Sequence, residues 1–148
     1  LNMVTAIEEY CRRTDQPVPA SPGAYTKAIL ESLAFKYRVV LASLEELTET
    51  RFQEIRIIGG GSKNRLLNQF TANATGLPVI AGPVEATALG NIAMQMLATG
   101  AVTSLAEARA VIDRSFPVDR FTPADTDQWN SHYSRFLQYA DLTLHHLL

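Results

Sequence analysis

Apolar positions along this chain fall into helical and strand rhythms. Val4, Ile7, Tyr10 and Cys11 recur at helical spacing, and Arg12 and Arg13 follow where a helix C-terminus favours cations. A short first helix is therefore predicted. Residues 16–23 form a stiff, proline-rich connector, because each proline disfavours helix at the residue before it. Ser21 suits an N-cap and Pro22 the first helical position. A long helix is expected from there to about Leu47, with Tyr25, Ile29, Leu33, Val40, Leu44 and Leu47 on one side. Ala28, Phe35 and Val39 widen that stripe, as in a helix packed on more than one face.

The rhythm then changes. Ile55-Arg56-Ile57-Ile58, bounded by Glu54 and glycine, reads as a buried strand. Leu66, Leu67, Phe70 and Ala74 mark a helix ending near Gly76, and residues 77–81 are a second strand candidate. After Gly82-Pro83 a helix from about Glu85 places Leu89, Ile92, Ala93, Met96 and Leu97 inward, with Gly100 at its C-cap. Strand–helix–strand–helix is the unit that builds parallel sheets through right-handed crossovers. Ser104-Leu105-Ala106-Glu107 matches a capping box opening a short helix towards Asp113. A connector from Pro117 to Pro123 leads to a last helix with Trp129, Tyr133, Phe136, Leu137 and Ala140 inward. The result is a helix-rich α/β inventory of two parallel strands and about six helices. A two-stranded sheet is marginal and its edges need partners, so the remaining sheet strands are expected in sequence absent here.

Composition narrows the class. The 148 residues, 47% hydrophobic and 19% charged, fit one soluble domain with a real core. A net charge of −2 offers no basic surface for nucleic acid. No apolar stretch approaches the roughly 20 residues of a membrane helix, and nothing resembles a cleaved signal. Cys11 is the single cysteine, which excludes an intrachain disulfide and suits a cytoplasmic location. The chain starts at Leu1 inside an amphipathic pattern, as expected of a piece of a longer polypeptide.

One segment is shaped for phosphate. Gly59, Gly60 and Gly61 allow a sharp turn with uncovered backbone. Ser62 can cap the following helix, whose first N–H groups lack acceptors and carry the positive end of the dipole. The spacing is neither the P-loop pattern nor G-x-G-x-x-G, so at this point a tight strand-to-helix turn is the commoner explanation. Lys63 reads as solvated, and Glu85 as stabilising a helix start. Glu31 needs a partner within a broad apolar helix, most simply a structural hydrogen bond. Gly90, costing about 1 kcal/mol inside a helix, implies close helix packing. His132, His145 and His146 lack ligand spacing, and Asp113, Asp119, Asp125 and Asp127 form no evident pair. No metal site and no catalytic residue is assigned.

Residues 57–69, Ile-Ile-Gly-Gly-Gly-Ser-Lys-Asn-Arg-Leu-Leu-Asn-Gln, resemble the nucleotide-binding segment of the FGGY carbohydrate kinases. Residues 82–91 are similar to the family's next helix start. Residues 29–35, Ser115-Phe116-Pro117, Phe121-Thr122-Pro123 and the pattern from Trp129 to Phe136 also agree, so nearly the whole chain is covered. The string from Ile57 to Ile92 most resembles the branch acting on L-rhamnulose. The resemblance implies an actin-like ATPase architecture of two ribonuclease-H-like domains around a cleft. Residues 1–148 would be a C-terminal fragment of the nucleotide-binding domain. It further implies transfer of the ATP γ-phosphoryl to a ketose, L-rhamnulose becoming its 1-phosphate, with Mg2+ carried on the nucleotide. In that pattern Gly60 contributes to the nucleotide site, Asn64 faces the adenosine, and Gly59 and Gly61 allow close approach. Sugar site and aspartate base lie in preceding sequence, so the fragment alone is expected to be inactive. The implied partners are ATP/ADP and a sugar held mainly elsewhere, with no nucleic acid or membrane, and self-association through strand edges. The alternatives are a kinase for another ketose or a non-catalytic interaction module on the same fold.

Overall fold

The computed structural model describes residues 2–144. Its order is α1 (Met3–Arg13), α2 (Pro22–Thr48), β1 (Ile55–Ile57), a 3₁₀ turn (Gly59–Lys63), α3 (Arg65–Thr75), β2 (Val79–Ala81), α4 (Ala86–Ala98), α5 (Leu105–Ser115), β3 (Asp119–Phe121) and α6 (Thr126–Leu144). Side-chain caps set several starts. Ser21 Oγ accepts from the Ala24 N–H at 3.2 Å, and Ser104 Oγ from the Glu107 N–H at 3.1 Å. The reciprocal bond of the expected capping box is shifted: Glu107 accepts from the N–H and hydroxyl of Thr103, both at 2.8 Å.

β1 and β2 are parallel, pairing Ile55 with Val79 and Ile57 with Ala81, as the strand–helix–strand pattern predicts. A third strand corrects the two-strand expectation. β3 pairs antiparallel with β2, Phe121 opposite Val79, giving the order β1-β2-β3. It hides between Pro117 and Pro123, is three residues long, and buries only Phe121 while Asp119 and Arg120 stay exposed. Such a segment has no readable alternation.

Three apolar clusters hold the elements. Ala34, Phe35, Ala74 and Trp129 form the first between α2, α3 and α6, flanked by Phe70, Tyr133 and Phe136. The Phe35 and Phe70 rings each lie 5.2 Å from the Trp129 ring, tilted as aromatic pairs prefer. Leu137, expected inward with them, is exposed. Arg38 ties the same three helices, donating to Ala74 O at 3.0 Å and Asn130 Oδ1 at 2.8 Å while stacked 3.9 Å over the Tyr133 ring. The second cluster joins Ala72, Val79, Ala81 and Phe121 beneath the sheet, with Ile55 and Ile57 beside it. The third closes the α4–α5 hairpin around Ala93, Val102 and Ala108.

The α2 stripe departs from expectation. Ile29, Leu33, Val40, Leu44 and Leu47 are exposed, whereas Ala34 and Phe35 are buried. The opposite side of α2 packs on α3 and α6, and no strand beyond β1 lies against the stripe among the described residues. For the same reason β1 is half-buried rather than buried, and Ile58 is exposed. Ile92 also faces outward on α4. Beside it, a Cβ at Gly90 would meet nothing within 4 Å, so close packing does not explain that glycine. Glu31 finds an ion pair with Lys27 on its own helix at 3.6 Å, not a structural hydrogen bond. His145 and His146 lie outside the described residues.

Candidate functional site

The glycine segment leaves the C-terminal end of β1 and is fixed to the neighbouring strand's exit. The Gly82 N–H donates to Ile57 O at 2.8 Å, and the Gly59 N–H donates to Pro83 O at 3.0 Å. These bonds continue the sheet ladder by one residue on each side and hold the two turns together. Gly59 has φ of +74°, a left-handed conformation that side chains resist. Its glycine therefore has a backbone reason. A Cβ at Gly61 would rest 3.7 Å from Ile57 Cγ2, an ordinary contact.

Gly60 is different. It does not share Gly59's positive φ, it is exposed, and a Cβ there would meet nothing within 4 Å. Nothing within the chain requires glycine at this position. Its N–H is also open. A 3₁₀ turn closes bonds between residues three apart, so the first donors of the turn fall outside its own ladder. Gly59 has Pro83 as acceptor, whereas the Gly60 N–H has none among the described residues.

The helix that follows starts one turn differently from the sequence expectation. Ser62 does not cap α3; it sits buried inside the 3₁₀ turn, its hydroxyl donating to Gly59 O at 2.6 Å. Asn64 is the N-cap, its Oδ1 accepting from the Leu67 N–H at 3.1 Å and its backbone O accepting from Asn68 N at 3.0 Å. Serine and asparagine cap equally well, so composition alone could not choose between them. The three glycines decide it by consuming Ser62 in the tighter turn. The Asn64 side chain is exposed, with its Nδ2 free of partners among the described residues. The N–H groups of Arg65 and Leu66 lie in the first turn of α3, which has no intrahelical acceptors for them. Asn68 braces the turn from below, donating through Nδ2 to Ser62 O at 2.8 Å.

Charge around the segment is balanced by residues far apart in sequence. Arg65 sits at the positive end of the α3 dipole, where a cation is disfavoured. Asp119 from β3 meets it at 2.6 Å, and its guanidinium lies 5.3 Å from the Phe121 ring. Sequence reading missed this clamp because β3 itself was unreadable. Lys63 is exposed with no ion pair among the described residues, as expected. A hollow of roughly 200 Å³ opens between the two turns, lined by Ser62, Lys63, Gly82, Val84 and Asp119. Glu85 occupies the N-cap position of α4 but makes no side-chain cap bond.

Shifted protonation occurs elsewhere. The Tyr25 hydroxyl, then Arg12, holds the Glu8 carboxyl below its ordinary range, and the Thr103 amide and hydroxyl do the same for Glu107. Glu107 thereby holds the start of α5, whereas Glu8 links α1 to α2. The glycine segment thus presents main-chain donors and an unclaimed carboxamide, chemistry suited to holding an anion and a polar ring rather than to moving a proton. Gly59, Gly60, Gly61 and Asn64 are brought together on one turn.

Comparisons with known proteins identify the family independently of that geometry. The FGGY family of carbohydrate kinases, C-terminal domain, matches residues 2–99. The rhamnulokinase of Bacteroides thetaiotaomicron is 48% identical over 135 residues, covering 91% of this chain and 28% of that protein. Those of Bacillus subtilis and Pectobacterium atrosepticum are 45% and 44% identical, covering 86% and 91% of this chain but 26% and 27% of theirs. The chain therefore spans little more than a quarter of the length of these relatives. It belongs to the FGGY family of carbohydrate kinases, as a segment of their C-terminal domain.

Proposed function

We propose that this chain is the nucleotide-holding part of an ATP-dependent sugar kinase that converts L-rhamnulose to L-rhamnulose 1-phosphate. The relatives named above, all rhamnulokinases, support the choice of sugar. The observation that carries the nucleotide site is Gly60. It is a glycine with no internal need to be one, and its N–H is unclaimed at the mouth of a strand–turn–helix unit.

The residues fit a triphosphate. The Gly60 N–H and the first N–H groups of α3 offer donors to phosphate oxygens, and the bare Cα of Gly60 allows them within reach. Asn64 turns its free Nδ2 towards the adenosine while its Oδ1 keeps the helix start in place. Gly59 and Gly61 shape the turn that aims both. ATP, bound with Mg2+, supplies the phosphoryl group. Phosphoryl transfer is mostly positioning and charge stabilisation, so a rigid cradle is an appropriate contribution from this half of a cleft. Sugar and proton acceptor come from the remainder of the parent protein, and this chain alone does not turn over. The enzyme works in the cytoplasm. No helix among the described residues is long and apolar enough to cross a membrane.

Calorimetry on the complete parent protein tests this reading. MgATP binding should fall at least about tenfold in Gly60→Val, a loss of roughly 1.4 kcal/mol or more. Circular dichroism should be unchanged, because the new side chain meets open space. Unaltered affinity in a folded variant would remove the site. Turnover of another ketose with L-rhamnulose inert would reassign the sugar.

A further inference from the structure

Among the described residues the buried polar side chains are Ser62, Asn68, Thr71 and Asn73. All of them lie in the glycine turn or in α3, the elements of the proposed nucleotide cradle. Thr71 bonds within its own helix, donating to Leu67 O at 2.8 Å, and Asn73 holds the segment after β3 by accepting from the Ala124 N–H at 3.0 Å. Ser62 and Asn68 act on the turn itself. Asn68 Nδ2 grips Ser62 O at 2.8 Å, and the Ser62 hydroxyl meets Gly59 O at 2.6 Å. A carbonyl only accepts, so the hydroxyl is the donor.

Gly59 O belongs to the same peptide unit as the Gly60 N–H. That unit is trans and planar, so its C=O and N–H point in opposite directions. Drawing the carbonyl to the buried Ser62 hydroxyl turns the Gly60 N–H the other way, to the side where Gly60 is exposed. The 3₁₀ pattern brings the Ser62 N–H towards the same carbonyl, but bonds of that kind have poorer geometry. The short hydroxyl bond is the firmer hold. It matters because the plane lies between two glycines. Flipping it changes ψ at Gly59 and φ at Gly60, and a residue without Cβ tolerates both settings. The bare Cα that lets a phosphate approach therefore also lets the donor swing away.

We infer that Ser62 is a positioning residue for the nucleotide: its hydroxyl, held in place by Asn68, keeps the Gly60 N–H aimed at the phosphate. Ser62 acts only through the peptide plane. Apparent affinity falls with the fraction of molecules whose donor faces outward. The burial of Asn68 points the same way, because its Oδ1 has no hydrogen-bond partner among the described residues. An apolar side chain would avoid that desolvation cost but leave Ser62 unheld.

The inference rests on the nucleotide reading given above, and paired variants of the complete parent protein keep the two apart. Ser62→Ala should weaken MgATP binding at least about threefold by calorimetry, as expected for one modest hydrogen bond. KM for ATP should rise with it, while KM for the sugar and the thermal midpoint stay close to their original values. Ser62→Thr keeps the hydroxyl and should bind MgATP like the unaltered protein. Asn68→Leu removes the grip on Ser62 at similar volume and should weaken MgATP binding too, which keeps the test open if Ser62→Ala does not fold. Unchanged affinity in Ser62→Ala or Asn68→Leu, beside weakened binding in Gly60→Val, would overturn the positioning role and leave the nucleotide site standing. Unchanged affinity in all three would remove the site and the positioning role together. A lower thermal midpoint with normal MgATP affinity would make Ser62 a structural brace and overturn the inference, as would equal rises in KM for ATP and sugar.

Discussion

Two sides of α2 carry apolar residues, and they meet opposite fates. One side buries Ala34 and Phe35 against Trp129, with Phe70, Tyr133 and Phe136 packed around them. The other presents Ile29, Leu33, Val40 and Leu44 to solvent beside an unpaired strand edge. The closed side draws on helices that all lie within residues 22–144, whereas the open side has β1 and nothing beyond it among the described residues. Apolar periodicity therefore reports that a face needs cover, not whether the cover lies in the same chain.

Substitutions on the two sides should separate sharply. Trp129→Ala removes the ring that Phe35 and Phe70 share and should cost about 3–5 kcal/mol in chemical denaturation of this chain. Arg38→Ala, also on the closed side, frees the Ala74 carbonyl and Asn130 and removes the stack on Tyr133. A loss of about 1–2 kcal/mol is expected, discounted because the group is partly exposed. Gly90→Ala sharpens the contrast from α4. With nothing near its Cβ, it should stabilise this chain by about 0.5–1 kcal/mol by thermal denaturation. If the same change harms the complete parent, that face too is covered there.

The smallest effect is titration of a helix end. Glu107 has a lowered carboxyl pKa because Thr103 donates to it twice, so its contribution is intact above the ordinary carboxylate range. It fades as pH falls through the lowered folded value. Glu107→Gln should flatten that acid limb in a pH series of thermal midpoints, its small loss appearing near neutrality and vanishing in acid.

Much of this architecture was legible because local chemistry agreed with long-range packing. Ser21-Pro22 started α2, Gly76 ended α3, and the parallel β1–β2 pair followed from the apolar runs around the glycine turn. What escaped was decided by contacts distant in sequence. β3 exists because Phe121 finds Val79, and no three-residue window flanked by prolines announces that. The Arg65–Asp119 clamp was hidden with it. The exchange of Ser62 for Asn64 as cap turned on whether three glycines would tighten into a 3₁₀ turn, a choice between two good caps. At the candidate site, the motif pointed to Gly60 by resemblance. Its open N–H and unfilled Cβ position are properties that only the folded chain displays.

The most direct measurement is hydrogen exchange of the complete parent protein with and without MgATP, read on peptides covering residues 59–66. Protection that rises at Gly60 and at Arg65 and Leu66 on nucleotide addition is the expected result, with the Gly60→Val variant showing little change. Nucleotide that binds and protects other segments while leaving residues 59–66 untouched would contradict the assignment of this turn.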